Sequence, residues 1–195
     1  MIKQTKEERQ QILAIYQEIV NSCKKCRSDN YKKLIHKAFN FLNETHKNDR
    51  RINGVPAIFH PIEVAKIVAS ELGLGPNSII SALLHDILIE TEYTKEDIKN
   101  LFGEKIAVIV EGISKLTEAV RNDQNMQIPE LDMVNDTILL EDTSAHAENF
   151  RKLLLTLCDD SRIFLIKLAD RIANMRHADS VDNTTRMKLC RQTML

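Results

Sequence analysis

At 195 residues, with 43% hydrophobic and 28% charged side chains, the chain is long enough for one domain with a sizeable core and has ordinary soluble composition. A formal net charge of −1 and a pI near 6.6 exclude a global attraction to nucleic acid or an anionic membrane, so any anionic ligand must be met by local basic groups. Five Gly and four Pro against abundant Leu, Ile, Lys, Glu and Ala predict an all-α fold, and the lack of a signal peptide or a membrane-length apolar run predicts a cytoplasmic location.

Ile12, Ile15, Tyr16, Ile19 and Val20 recur at helical spacing and predict an amphipathic helix over 6–27. Cys23-Lys24-Lys25-Cys26 near its end has a zinc-type spacing, but no second close pair exists, so the four cysteines are expected as reduced thiols. A second helix is expected over 31–46. The polar stretch 46–59, with Asn53, Gly54 and Pro56, has the chemistry of a turn-rich loop. Pro61 then suits the first turn of a helix that turns Ile62, Ala65, Val68 and Leu72 inward, which sets His60 at a loop-to-helix junction.

Gly73, Gly75 and Pro76 separate that helix from the next, expected over 77–90 and apolar on nearly every side, hence central. Thr94-Lys95-Glu96-Asp97 resembles a capping box and opens a short helix to Phe102, followed by another over 104–115. Polar composition from 117 to 144, including Asn122-Asp123-Gln124-Asn125, predicts a mobile loop. Helical pattern returns at 145–158 and again at 162–175, the latter buried and carrying Asp170. The pattern runs to Leu195 with no helix-ending signal, so the chain is read as a single domain, 1–195, cut from something longer.

Within this frame His60, His85, Asp86 and Asp170 all have apolar sequence neighbours. Burying an ionised carboxylate costs several kcal/mol unless a cation or donors compensate it, so two imidazoles and two carboxylates in a helical core point to a divalent ion. The donor set suits manganese, iron or zinc. Such an ion lowers the pKa of bound water from about 15.7 towards roughly 7, which makes hydrolysis of a phosphoester or phosphoanhydride the natural chemistry. On a continuous helix, residues 85, 86, 89 and 90 share a face, which then reads His85, Asp86, Ile89, Glu90.

His60, then His85-Asp86, then Asp170 resembles the metal-binding signature of HD-domain phosphohydrolases. The stretch from His46 through His60 and the blocks Ala82-Leu83-Leu84-His85-Asp86, Leu101-Phe102-Gly103, Glu111-Gly112-Ile113-Ser114-Lys115-Leu116, Glu148-Asn149-Phe150-Arg151-Lys152 and Ile166-Lys167-Leu168-Ala169-Asp170-Arg171-Ile172-Ala173-Asn174-Met175-Arg176 are together similar to the hydrolase domain of the RelA/SpoT family, over about 31–195. The resemblance implies an HD-type helical bundle and manganese-dependent removal of the 3′-pyrophosphate of guanosine tetra- or pentaphosphate, ppGpp or pppGpp, the alarmones of the stringent response. It implies His60, His85, Asp86 and Asp170 as metal ligands, Arg51 stacked on guanine, Lys115, Lys167 and Asn174 lining the nucleotide pocket, and a C-terminal synthetase domain in the full-length protein. Arg50 is expected as a solvated surface charge.

Two departures weigh on activity. Active members of that family carry adjacent Glu and Asp after the His-Asp pair, whereas this chain has Ile89 and Glu90, which leaves Glu90 as the one catalytic carboxylate. Ile52 and Ala57 stand where a Lys and a Tyr are frequent. A reduced hydrolase is therefore expected. The alternatives are a degenerate domain that binds nucleotide and regulates a downstream synthetase, and an HD nucleotidase for another phosphate ester.

Overall fold

The structure, a computed structural model, describes residues 4–23, 28–51, 54–125, 160–178, 183, 186 and 187. Among them the fold is all-α; the one β-type pairing is an isolated bridge between Arg50 and Pro56. Helix α1 spans Lys6–Ser22 and α2 spans Asp29–Thr45. Helix α3, Phe59–Lys66, runs on into a π-helical turn, Ile67–Glu71. Then come α4, Pro76–Leu83, the single turn α5, Ile87–Glu90, α6, Lys95–Phe102, α7, Glu104–Asn125, and α8, Ser161–Arg176.

Local chemistry explains several boundaries. Thr5 and Glu8 form a reciprocal capping box on α1, and Thr94 with Asp97 does the same on α6, as the Thr94-Lys95-Glu96-Asp97 spacing predicts. Gly103, at φ 94°, ends α6 in a backbone conformation that only glycine adopts without strain. Apolar spacing decides what faces inward. Ile79, Ile80, Ala82 and Leu83 of α4 are all buried, and α4 packs against α2, α3, α7 and α8 at the centre of the molecule.

Four expectations need correcting. The central helix is not continuous over 77–90, because α4 stops at Leu83 and α5 starts at Ile87. The His85 side chain supplies the reason: its Nδ1 donates to the Ala82 carbonyl at 2.9 Å, an acceptor that a continuing helix would have given to the Asp86 amide. The loop expected at 117–144 begins too early, since α7 continues through Asn125 and the Thr117 hydroxyl donates to the Ile113 carbonyl. The remainder of that loop and the helix expected over 145–158 lie outside the described residues. Arg50 is no solvated charge but a partly buried one, donating to Glu8 at 2.8 Å and to the Gly54 carbonyl at 2.6 Å, so it ties the 46–59 loop to α1. Cys23 is disulfide-bonded rather than a reduced thiol.

Helices α7 and α8 meet closely at Gly112, where an added Cβ would lie 2.4 Å from Ile163 Cδ1. An alanine there is relieved in part by turning the end of Ile163 and gains up to ~1 kcal/mol of helix propensity. Valine is not so easily accommodated. Gly112→Val is expected to lower stability by about 1–3 kcal/mol, read as a shift in the urea midpoint, whereas Gly112→Ala stays near wild type. Equal midpoints for the valine variant and wild type would mean the helices separate freely.

Candidate metal centre

Three elements converge on one point. His60 is the second residue of α3, His85 and Asp86 occupy the break between α4 and α5, and Asp170 lies in the middle of α8. His60, His85 and Asp170 are buried, and each offers a ligand atom within 4.8 Å of the others. His60 Nε2 lies 3.0 Å from Asp170 Oδ1, His85 Nε2 lies 3.9 Å from the same oxygen, and the two imidazole rings are 5.2 Å apart at 63°. Asp86 joins them through Oδ2, 2.9 Å from His85 Nε2.

The donor chemistry fits a divalent cation. Because the Nδ1 of His85 donates to the Ala82 carbonyl, Nε2 is the ring nitrogen left to face the cluster, where a cation can replace its proton. Among the described residues that buried Nε2 has no hydrogen-bond partner; the close Asp86 oxygen is not aligned to accept from it. Two imidazoles and two carboxylates in one pocket are the ligands expected of a manganese, iron or zinc site.

Asp170 is held on both oxygens. Lys167 Nζ donates to Oδ2 at 2.7 Å, and Asn174 Nδ2 donates to Oδ1 at 2.9 Å. The asparagine in turn accepts from Arg51 Nη2 at 3.5 Å, which links the 46–59 loop to the centre. Burial alone would raise the Asp170 carboxyl, but the His60 bond and the charges of His85 and Lys167 hold it far below the usual carboxylate range. For Asp86, burial is likewise outweighed by His85, and the carboxyl is lowered to about 2. Burial pushes His60 down, against the pull of Asp170. His85 goes the other way: burial opposes its charge, yet Asp86 and Asp170 outweigh burial and raise it to about 9.

A cleft of ≈ 50 Å³ opens beside the cluster, lined by His46, Arg51, Ala57, His60, His85, Asp86 and Glu90 among others. It is roomy enough for a water or two. Glu90 is raised by burial and then by the neighbouring Asp86 charge, although its side chain is 51% exposed. Ile89 does not line the cleft, and Ala57 contributes only a methyl group to its wall. Ile52 lies outside the described residues.

The structure thus brings His60, His85, Asp86, Asp170, Lys167, Asn174, Arg51 and Glu90 into one region. Lys167 and Asn174, expected against the nucleotide, here contact Asp170. Lys115 is not among the residues lining the cleft; its ammonium pairs with Glu111 on α7 at 3.1 Å. One further residue joins the site without having been expected as a site residue: His46, buried at the end of α2, forms part of the cleft wall. It opens the His46 through His60 stretch that carries the family resemblance, but its position at the end of a helix gave it no role of its own.

Comparison with known proteins gives a consistent picture. The HD domain profile matches residues 38–195. The chain is similar to the bifunctional (p)ppGpp synthase/hydrolase SpoT of Escherichia coli K12, 35% identical over 162 residues, which is 83% of this chain and 20% of that protein. It is 36% identical over 160 residues to the guanosine-3′,5′-bis(diphosphate) 3′-pyrophosphohydrolase of Aquifex aeolicus, covering 82% of this chain and 20% of the relative. The GTP pyrophosphokinase rsh of Brucella melitensis is 34% identical over 177 residues, 91% of this chain and 21% of the relative. The chain therefore spans about a fifth of the length of these curated relatives. Its fold matches the solved structure of a metazoan ortholog of SpoT that hydrolyzes ppGpp, with a TM-score of 0.54 at 20% identity, covering 85% of this chain and 84% of that one.

Proposed function

Since the chain belongs to the HD-domain family, with its sequence similarity on the RelA/SpoT side, we propose that it is a hydrolase of guanosine polyphosphates, removing the 3′-pyrophosphate of ppGpp or pppGpp with Mn2+. The observation that carries this reading is the buried convergence of His60, His85 and Asp170, with Asp86 beside them, on a cleft that also holds Glu90 and Arg51. His60, His85, Asp86 and Asp170 would hold the cation, which supplies Lewis-acid activation of water and of a phosphoryl oxygen. Glu90, raised by burial and by Asp86, is suited to accept the proton of the attacking water. Arg51 offers a planar guanidinium for a purine at the cleft mouth. Lys167 and Asn174 fix the Asp170 carboxylate, and Lys167 adds positive charge beside a polyanionic substrate. In the full-length protein a synthetase domain would follow. Among the described residues no helix is long and apolar enough to cross a membrane.

The test is incubation of the manganese-loaded protein with ppGpp, pppGpp and simple phosphate esters, with release of pyrophosphate and guanosine nucleotide followed by chromatography. Slow release confined to the guanosine polyphosphates supports the reading. A second reading is favoured by Ile89, which supplies no carboxylate: a domain that binds nucleotide and regulates a downstream synthetase. Saturable ppGpp binding without turnover would favour it. If general-base help is what this chain lacks, Ile89→Glu raises kcat by about tenfold or more, within the range such groups supply. An unchanged kcat means that Glu90 suffices or that the water is activated elsewhere.

A further inference from the structure

His46 is a buried titratable side chain that no step above uses. Its backbone N–H closes the end of α2 on the Leu42 carbonyl at 3.0 Å, which leaves the imidazole free for another task. The ring is 7% exposed and is gripped from one side, with Nδ1 3.2 Å from Asp49 Oδ2. From the other side Nε2 faces Glu90, 3.8 Å from Oε2 across the cleft wall.

Glu90 needs such a partner more than most glutamates. It ends the four-residue helix α5, half its side chain is exposed, and no other side chain among the described residues pairs with its carboxylate. An untethered glutamate spreads over many rotamers, and confining it costs side-chain entropy. A rigid, buried imidazole reduces that spread, in the way a base is oriented by a third group in catalytic triads.

We propose that His46, oriented by Asp49, is a positioning residue that fixes the Glu90 carboxylate in the cleft. The inference rests on the hydrolase reading for its kinetic consequence and deepens it, but the contact itself can be read without turnover. A plain helix-capping role is carried by the His46 backbone N–H and would not depend on what stands at position 90.

The experiment has two arms. In metal-free, 15N-labelled protein, Glu90→Gln is expected to shift the His46 Nε2 resonance, and Asp49→Asn the Nδ1 resonance. Ring resonances that ignore Glu90→Gln overturn the proposal. In the second arm, manganese-loaded protein is assayed on ppGpp. His46→Ala is expected to lower kcat roughly tenfold with KM little changed, as misplacing a catalytic group does. His46→Gln, which keeps an N–H donor at a similar reach, recovers most of that loss and guards against a folding artefact. In the Glu90→Gln background His46→Ala costs nothing further; a second full loss there also overturns the proposal. Wild-type protein inactive on ppGpp, with the ring resonances still answering to Glu90, would sink the hydrolase reading and leave the contact standing.

Discussion

Asp170→Asn is expected to lower manganese affinity by at least a hundredfold and to bring ppGpp turnover down to the background of the assay. Removing partners one bond away from a metal ligand already costs about 10–100-fold in affinity, so loss of a ligand's charge sets a floor at the upper end. Asp170 is also the group on which three others converge: His60 at 3.0 Å, Lys167 at 2.7 Å and Asn174 at 2.9 Å. With asparagine in its place the Lys167 ammonium, only 14% exposed, keeps its charge and loses its anion. A buried group stripped of its partner costs about 1–3 kcal/mol, so the metal-free variant should also melt earlier. Asp86→Asn provides the contrast. That side chain is more open, at 24% exposure, and among the described residues pairs only with His85, so its replacement should weaken metal binding with a smaller stability loss. Electron paramagnetic resonance titration of free manganese, together with thermal melts, reads both effects. A folded Asp170→Asn protein with unchanged manganese affinity would remove α8 from the centre.

The contrast between α4 and α8 shows what could be read from residues alone. Asp170 was legible because an acid flanked by Ile166, Ala169 and Ala173 at helical spacing has no cheap way to be buried. The same argument found His60, His85 and Asp86. The break between α4 and α5 was not legible, because Ala82 to Glu90 has unbroken helical periodicity and the interruption comes from one side-chain bond, His85 to the Ala82 carbonyl. Polar composition misled at 122–125, where α7 persists. Arg50 was misjudged for a different reason: its partner, Glu8, lies 42 residues away, a separation over which sequence carries no pairing signal. Lys167 and Asn174 were expected against a nucleotide, yet their spacing from Asp170, three and four residues along one helix, already put them beside that carboxylate, which both of them contact.

The pH behaviour of the centre should run in two opposite directions at once. In the metal-free protein Asp86 and Asp170 raise His85 to about 9, above its ordinary 6.5, against the effect of burial. Below about pH 6.5 the folded and unfolded chains both hold that proton, and its stabilising contact with the two carboxylates is fully present. Between pH 6.5 and about 9 the unfolded chain has released the proton and the folded chain has not, so the metal-free protein loses this contribution as pH rises through the window. A cation at the same Nε2 must displace that proton, whereas Asp86, lowered to about 2, is ionised throughout. Apparent manganese affinity is therefore expected to rise about tenfold per pH unit between 6.5 and 8.5, one proton released per ion bound. Melting curves should diverge accordingly, with the metal-free midpoint falling and the manganese-induced upward shift growing at each step of pH. Affinity that stays level across the window would mean that His85 is neutral before the ion arrives or does not bind it. His85→Gln separates these outcomes, since without a titrating imidazole the slope should vanish along with most of the affinity.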